Sequence, residues 1–168
     1  MVKIPGTLWL EIDPSAMPAG PVGPAGGVVQ RVAVDSMANG AAASANGQGI
    51  LTGREITPVG TSLTVQGSFD VQMMRANGAI AADLEAQERV WDGFNWGTWI
   101  AVRTMRGFFS GPSAASIDIR GTRSFIYQRL VGAAVKLQYR VVSAGMSTNP
   151  AAGLVVYPGG SLLYTETT

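Results

Sequence analysis

The sequence contains no cysteine and no histidine, and its only lysines are Lys3 and Lys136. Without histidine, the chain lacks the side chain that most often acts as a general base near neutral pH. Without cysteine, it lacks a thiol nucleophile and a disulfide framework. The softest metal ligands are missing with them. We therefore predict no enzyme, no catalytic residue, no cofactor and no metal site.

Charged residues are also scarce, at 14% of the 168 residues, against about 25% in an average soluble domain. The net charge of +1 gives little drive toward nucleic acid, and no apolar run is long enough for a transmembrane helix. We expect neither specific nucleic-acid binding nor membrane insertion. The mean hydropathy of +0.20 indicates apolar surface beyond the core, which favours a self-associating subunit over a well-buried monomer.

The first part of the chain is rich in proline and glycine. Residues 14–27 cannot form a helix or a central strand, and only a short alternating pattern at residues 8–12 precedes them. Residues 18–26 form three triplets with glycine at every third position, which is the collagen period. A semi-rigid polyproline linker is the favoured interpretation, and a local contact among three chains is the alternative. We predict an extended arm over residues 1–27 and one domain over residues 28–168.

From residue 28 onward, short runs of alternating apolar and polar residues are separated by Gly, Pro, Ala and Asn. Residues 79–91 also fit a helical face, but their alternation and the Asp92-Gly93 turn favour a strand. Asn77-Gly78 predicts a hairpin, and residues 158–160 predict another that closes the chain. About ten strands with frequent turn signals predict an all-β fold, an antiparallel β-sandwich resembling a jelly roll.

The densest local signal is a tryptophan cluster around the Asp92-Gly93 turn. Two of its indoles could pair across the hairpin and enter the core, which is the favoured interpretation. Contact with another subunit and stacking on sugar rings are the two alternatives, with equal weight between them. Asp92 and Asn95 offer only two oxygen ligands, too few for calcium. The candidate binding residues here are Trp91, Phe94, Asn95, Trp96 and Trp99.

The second half of the chain is rich in arginine. Between Gly93 and Thr165, seven cations accompany a single anion, Asp118. Arginine suits interfaces because its planar fork makes bidentate contacts and is weakly hydrated, although a solvated basic face explains the pattern equally well. The candidate interface residues are Arg120, Arg123, Arg129 and Arg140. The remaining enzymatic alternative is a hydrolase that uses paired carboxylates, Asp83 with Glu85 or Glu11 with Asp13.

The stretch from Phe125 to Val142 resembles the late strands of tailed-bacteriophage virion proteins, as does the segment from Ser147 to Gly160. The Ala/Gly-rich composition and the triplet run are similar to those of jelly-roll decoration, cement and fibre-tip proteins. The resemblance implies a homotrimeric or capsid-bound subunit of the virion, assembled in the host cytoplasm. Its partners would be itself and the major capsid protein or other virion proteins.

This resemblance assigns no site residue, and the chain has no long coiled coil or fibre repeat as a complete tail fibre would. The function predicted first is therefore a capsid decoration or cement subunit. It would stabilise a shell by self-association and through the arm. The alternative is a carbohydrate-binding or receptor-binding tip that uses the tryptophan cluster, with glycans as partners.

Overall fold

The computed structural model describes residues 31–74, 80–110, 118–131, 136–147 and 152–167. The predicted arm and its collagen-like triplets lie outside the described residues. Within those ranges the chain forms no helix, and so none that could cross a bilayer. The ten strands are β1 (Arg31–Ser36), β2 (Ala41–Ala43), β3 (Gly49–Ile56), β4 (Ser62–Met74), β5 (Ile80–Trp91), β6 (Ile100–Ser110), β7 (Asp118–Leu130), β8 (Lys136–Ala144), β9 (Gly153–Val156) and β10 (Ser161–Thr167).

The strands form two antiparallel sheets that pack as a sandwich. In the first sheet, β1, β10, β4 and β7 lie side by side, and β9 and β2 extend it beside the C-terminal half of β4. The second sheet has the order β3-β8-β5-β6. The orders 1-10-4-7 and 3-8-5-6 are those of an eight-stranded jelly roll. The predicted all-β, jelly-roll-like sandwich is confirmed.

Period-two alternation places one side of each strand in the core. In β10 every second residue is buried, and β8 begins with the same pattern. The core between the sheets is apolar and aromatic. Its largest fully buried side chains are Tyr139, Tyr164, Phe69, Leu63, Met73, Leu84, Leu137, Leu154, Leu162, Val65 and Val71.

Polar contacts join the two sheets along both sides of the sandwich. On one side, Asp35 of β1 accepts hydrogen bonds from the backbone and the guanidinium of Arg54 in β3, at 2.7 and 2.8 Å. On the other side, the Arg103 guanidinium of β6 donates to the Ile126 carbonyl of β7 at 3.2 Å. These contacts hold the edge strands of one sheet beside those of the other.

Among the described residues, two carboxylates are buried, those of Glu88 and Glu166. Glu88 of β5 is 5% exposed, accepts a hydrogen bond from the Tyr139 hydroxyl at 2.6 Å, and forms an ion pair with Arg129 of β7. Burial, and then the Glu88 carboxylate beside it, raise the pKa of Tyr139. Arg129 therefore forms an ion pair inside the sandwich that connects β7 of the first sheet to β5 of the second sheet.

The strand predicted at residues 79–91 is confirmed from Ile80 to Trp91. The hairpin predicted at Asn77-Gly78 lies outside the described residues, and the flanking strands β4 and β5 lie in different sheets. The hairpin predicted at residues 158–160 is wrong. The Pro158-Gly159-Gly160 segment does not reverse the chain, because β9 and β10 run in the same direction along one edge of β4. Met37 holds this interruption through backbone hydrogen bonds with Gly159 and Gly160.

Several strands continue through points where the local sequence pattern is interrupted. Residues 62–66 and 69–74 are two separate alternating runs, yet they form the single strand β4, and β7 likewise spans two such runs. The stretch of mostly small residues at 38–49 contains the short strand β2. In each case a neighbouring strand supplies the ladder hydrogen bonds that the local sequence alone does not predict.

Candidate functional site

The turn between β5 and β6 positions the tryptophan cluster. Asp92 accepts hydrogen bonds from the backbone of Phe94 and Asn95 through Oδ1, at 2.8 and 2.7 Å, which is an Asx turn. Gly93 has φ of 107°, a left-handed conformation that favours glycine. The turn brings Trp96 back beside Trp91 in a β-bridge, with ring centroids 5.6 Å apart.

Two arginines continue from these indoles across the outer face of the second sheet. The Arg89 guanidinium carbon lies 4.5 Å from the Trp96 ring centroid and 4.6 Å from that of Trp99. The Arg140 guanidinium carbon lies 4.3 Å from the Trp99 centroid. We call this row, Trp91, Trp96, Arg89, Trp99 and Arg140, the Trp–Arg ladder. Each cation–π contact contributes on the order of 0.5–1 kcal/mol at an exposed site.

Glutamine side chains fix the two arginines in place. Arg89 Nε donates to Gln138 Oε1 at 2.9 Å, and Arg140 Nε donates to Gln87 Oε1 at 2.8 Å. These are cross-strand pairs, since β5 and β8 align Arg89 with Gln138 and Gln87 with Arg140. Gln138 in turn donates to the Gly53 carbonyl of β3 at 2.8 Å. The ladder is therefore braced across three strands.

The structure does not place the cluster in the core. Trp91, Trp96 and Trp99 are each half-buried on the outer face, and Trp91 pairs with Trp96 rather than with Trp99. The core interpretation is wrong because Trp91 has the same strand parity as the solvent-facing Gln87 and Arg89. Phe94 is 85% exposed at the tip of the turn, beside the exposed Asn95.

The sequence prediction missed Arg89, Gln87 and Gln138, although a signal for them was available. Alternation along β5 puts Gln87, Arg89 and Trp91 on one face, and the antiparallel neighbour β8 presents Gln138 and Arg140 on the same face. Alternation alone does not predict the register between β5 and β8, because about fifty residues of chain separate the paired residues of these strands.

The four arginines predicted at an interface do not share one face. Arg120 lies on the outer face of the first sheet, where it pairs with Asp70 and its guanidinium carbon sits 4.0 Å from the Tyr157 ring centroid. Arg140 lies in the ladder on the opposite side of the sandwich. Arg123 is half-buried and donates to the Thr122 carbonyl at 3.0 Å, and Arg129 pairs with Glu88 inside the sandwich.

Of the two carboxylate pairs of the hydrolase alternative, Asp83 and Glu85 lie on the open outer face of the second sheet, and Glu11 and Asp13 lie outside the described residues. Asp83 and Glu85 are both half-exposed, and Glu85 accepts a hydrogen bond from Gln87 Nε2 at 2.6 Å. A glycosidase needs its two carboxyl groups on opposite sides of a bound sugar ring, whereas these follow one strand on one face. Among the residues that the structure describes, no three acidic side chains come together as metal ligands.

Asp92 gives the turn a pH dependence. The backbone N–H groups of Asn95 and Phe94 lower the pKa of its carboxyl below the usual value. Because the pKa of Asp92 is lower in the folded than in the unfolded protein, its ionised carboxylate stabilises the fold. This stabilisation is complete above the unfolded pKa of about 3.9 and is lost as the pH falls through the folded pKa.

We therefore expect Asp92→Ala to lower the melting temperature at neutral pH, and the difference from wild type to shrink as the pH falls below the usual aspartate range. Thermal unfolding followed by tryptophan fluorescence over that range checks this, with Asp92→Asn, which keeps one acceptor, as the control. If the difference in melting temperature between Asp92→Ala and wild type stayed constant down to the most acidic pH, the ionised Asp92 carboxylate would not be what stabilises the turn.

No protein-family model matches the chain, and no curated protein matches it. Among solved structures it is similar to that of the infectious bursal disease virus Gt strain, at 18% identity and a TM-score of 0.44. It is also similar to the VP2 subviral particle of that virus, at 15% identity and a TM-score of 0.36. Both matches cover 82% of this chain, which spans about a third of the matched chains, 33% in each case.

Proposed function

We propose that this chain is a non-enzymatic structural protein of a virion, a capsid decoration or cement subunit that associates with itself as a trimer. Its other partners would be the major capsid protein or other virion proteins. Jelly rolls recur in virus shells and in lectins, so the fold is compatible with this role without specifying it. The observation that carries the proposal is the chemistry of one sheet surface.

The outer face of the first sheet is nearly free of charge. Among its positions with described side chains, the only charged ones are Asp70 and Arg120, which pair with each other at one end, two residues from Asp118 at the start of β7. We call the remainder the uncharged face. It consists of Val32, Val34, Ser36, Thr64, Gln66, Ser68, Ser124, Ile126, Gln128, Leu130, Ser161, Leu163 and Thr165.

Several apolar side chains on this face are open to water. Ile126 and Leu130 are 62% and 82% exposed, and Val32 and Val34 are 55% and 48% exposed. Val34, Leu163, Gln66 and Ile126 form one row across four strands. A flat face with apolar side chains suits packing against another sheet, because no charged group has to be desolvated. Copies of this face also carry no charges that would repel one another.

Cementing by such a subunit follows from mass action. A protein that binds the assembled shell but not its free subunits stabilises the shell in proportion to the logarithm of its concentration over its dissociation constant. We assign the arm over residues 1–27 to the contact with a neighbouring subunit or the shell, on the strength of its Pro/Gly-rich sequence.

Ile126→Glu is expected to convert the trimer into monomers, because association would bury a carboxylate on a face that offers it no cationic partner, which costs several kcal/mol. The side chain is largely exposed in one chain, so the fold should tolerate the change. Light scattering coupled to size exclusion gives the mass. Thr104→Glu, at an exposed position on the outer face of the second sheet, is the matched control.

Dissociation by both variants, or by neither, would contradict the assignment of the uncharged face. The same measurement on a chain that begins at residue 28 tests whether the arm contributes to association.

The second candidate function is a carbohydrate-binding or receptor-binding tip. The observation that favours it is the position of the Trp–Arg ladder on the surface, next to a turn whose Phe94 is almost fully exposed. Exposed aromatic anchors of this kind are typical of binding sites.

A further inference from the structure

Two of the three indole rings of the ladder, those of Trp96 and Trp99, have a guanidinium group of the protein over one face. Arg89 covers Trp96 and contacts Trp99, and Arg140 also contacts Trp99. A neutral sugar that stacks on these indole faces would have to displace a guanidinium group. The arrangement instead uses the indoles and glutamines to hold two guanidinium groups at fixed positions on an open surface, which favours a ligand recognised by charge.

The two arginines also lack a carboxylate partner. The ion pairs among the described residues use Arg54, Arg120, Arg129 and Lys136, and neither ladder arginine has a described carboxylate within 4.0 Å. The acid that acts on Arg140 through its charge is Glu85, whose carboxylate accepts a hydrogen bond from Gln87. Burial, and then the positive charge of Arg89, lower the pKa of Arg140, whereas Glu85 raises it.

We propose that Arg89 and Arg140 form a binding site for an oxyanion, a carboxylate, sulfate or phosphate group carried by an acidic saccharide. Gln138 Oε1 accepts hydrogen bonds from Nε and one terminal nitrogen of Arg89, and Gln87 Oε1 accepts one from Nε of Arg140. The site therefore presents the remaining terminal guanidinium N–H groups to a ligand. A charge-assisted, bidentate contact with such a group satisfies these donors and relieves the repulsion between the two cations. This inference deepens the second candidate function and is independent of the virion role.

The fluorescence of the protein reports on the site directly, because three of its four tryptophans belong to the ladder. We expect sialyllactose, which carries a carboxylate, to change the fluorescence saturably and lactose to have no effect. Arg140→Gln should weaken sialyllactose binding at least tenfold, while Glu85→Gln, which removes the neighbouring acid, should strengthen it. Arg106→Gln removes an equal charge from an exposed position of β6 and should leave binding unchanged.

Sodium phosphate distinguishes the two sources of an oxyanion. Equal affinity for phosphate and sialyllactose would assign the site to a free anion, and a preference for sialyllactose would assign it to a saccharide. Equal binding of lactose and sialyllactose, unaffected by Arg140→Gln, would overturn the oxyanion site but leave a glycan-binding role. Absence of binding by every probe, with the melting temperature of wild type intact, would overturn both.

Discussion

Replacing Arg129 with methionine is expected to lower the free energy of unfolding by about 3 kcal/mol, since removing one partner of a buried ion pair costs about 3–5 kcal/mol. Among the described residues, Arg129 is the only cation paired with Glu88, whose side chain is 7% exposed. Methionine fills similar volume but leaves the carboxylate in the sandwich with the Tyr139 hydroxyl as its remaining partner. Urea unfolding followed by circular dichroism measures the loss.

The reciprocal change should cost less. In Glu88→Gln, the new amide oxygen still accepts the Tyr139 hydrogen bond, and the released Arg129 side chain, 29% exposed, can reach water. The double variant Glu88→Gln/Arg129→Met should therefore be more stable than Arg129→Met alone. An Arg129→Met protein within 1 kcal/mol of wild type would show that the pair does not hold the sheets together, because ordinary surface substitutions stay within about 0.5 kcal/mol.

Gly67→Ala is expected to destabilise the protein by roughly 1–3 kcal/mol through overpacking. Gly67 of β4 is paired with Phe125 of β7, whose ring lies directly over the glycine. A Cβ atom at this position would lie 2.1 Å from Phe125 Cε1, so the ring or the strand must move. Chemical denaturation of purified protein measures the cost.

If a clash with the Phe125 ring causes the loss of stability, two further results are expected. Gly67→Ala/Phe125→Leu should lose less stability than the sum of the single changes, because leucine leaves room for the new methyl group. Gly49→Ala, where nothing lies within 4 Å of an added Cβ and φ is not positive, should stay within about 0.5 kcal/mol of wild type. Additive losses, or a comparable loss at Gly49, would point to strand propensity instead of the Phe125 ring.

Sequence periodicity could predict the sandwich because most strands have one apolar side. Ala82, Leu84 and Ala86 point inward from β5, and the same alternation places Trp91 outward with Arg89. Glu88 breaks the pattern, since a charged residue occupies a core position. Its partner Arg129 is 41 residues away in the chain and lies in the other sheet, so local pattern could not identify the pair.

Turn chemistry was a weaker guide than periodicity. The Asx turn at Asp92 follows from a local hydrogen bond that the sequence encodes directly. The Pro158-Gly159-Gly160 segment has the composition of a turn, yet its path depends on Met37 and on the edge of β4, which are remote in sequence. Local residues predict where a strand is interrupted, and tertiary partners decide whether the chain reverses there.

The measurement that tests the virion-subunit account most directly is native mass spectrometry of the full chain at micromolar concentration. The account predicts a trimer at three times the chain mass of 17.5 kDa, which Ile126→Glu dissociates and Thr104→Glu does not. A monomer at every concentration tested would contradict self-association through the uncharged face.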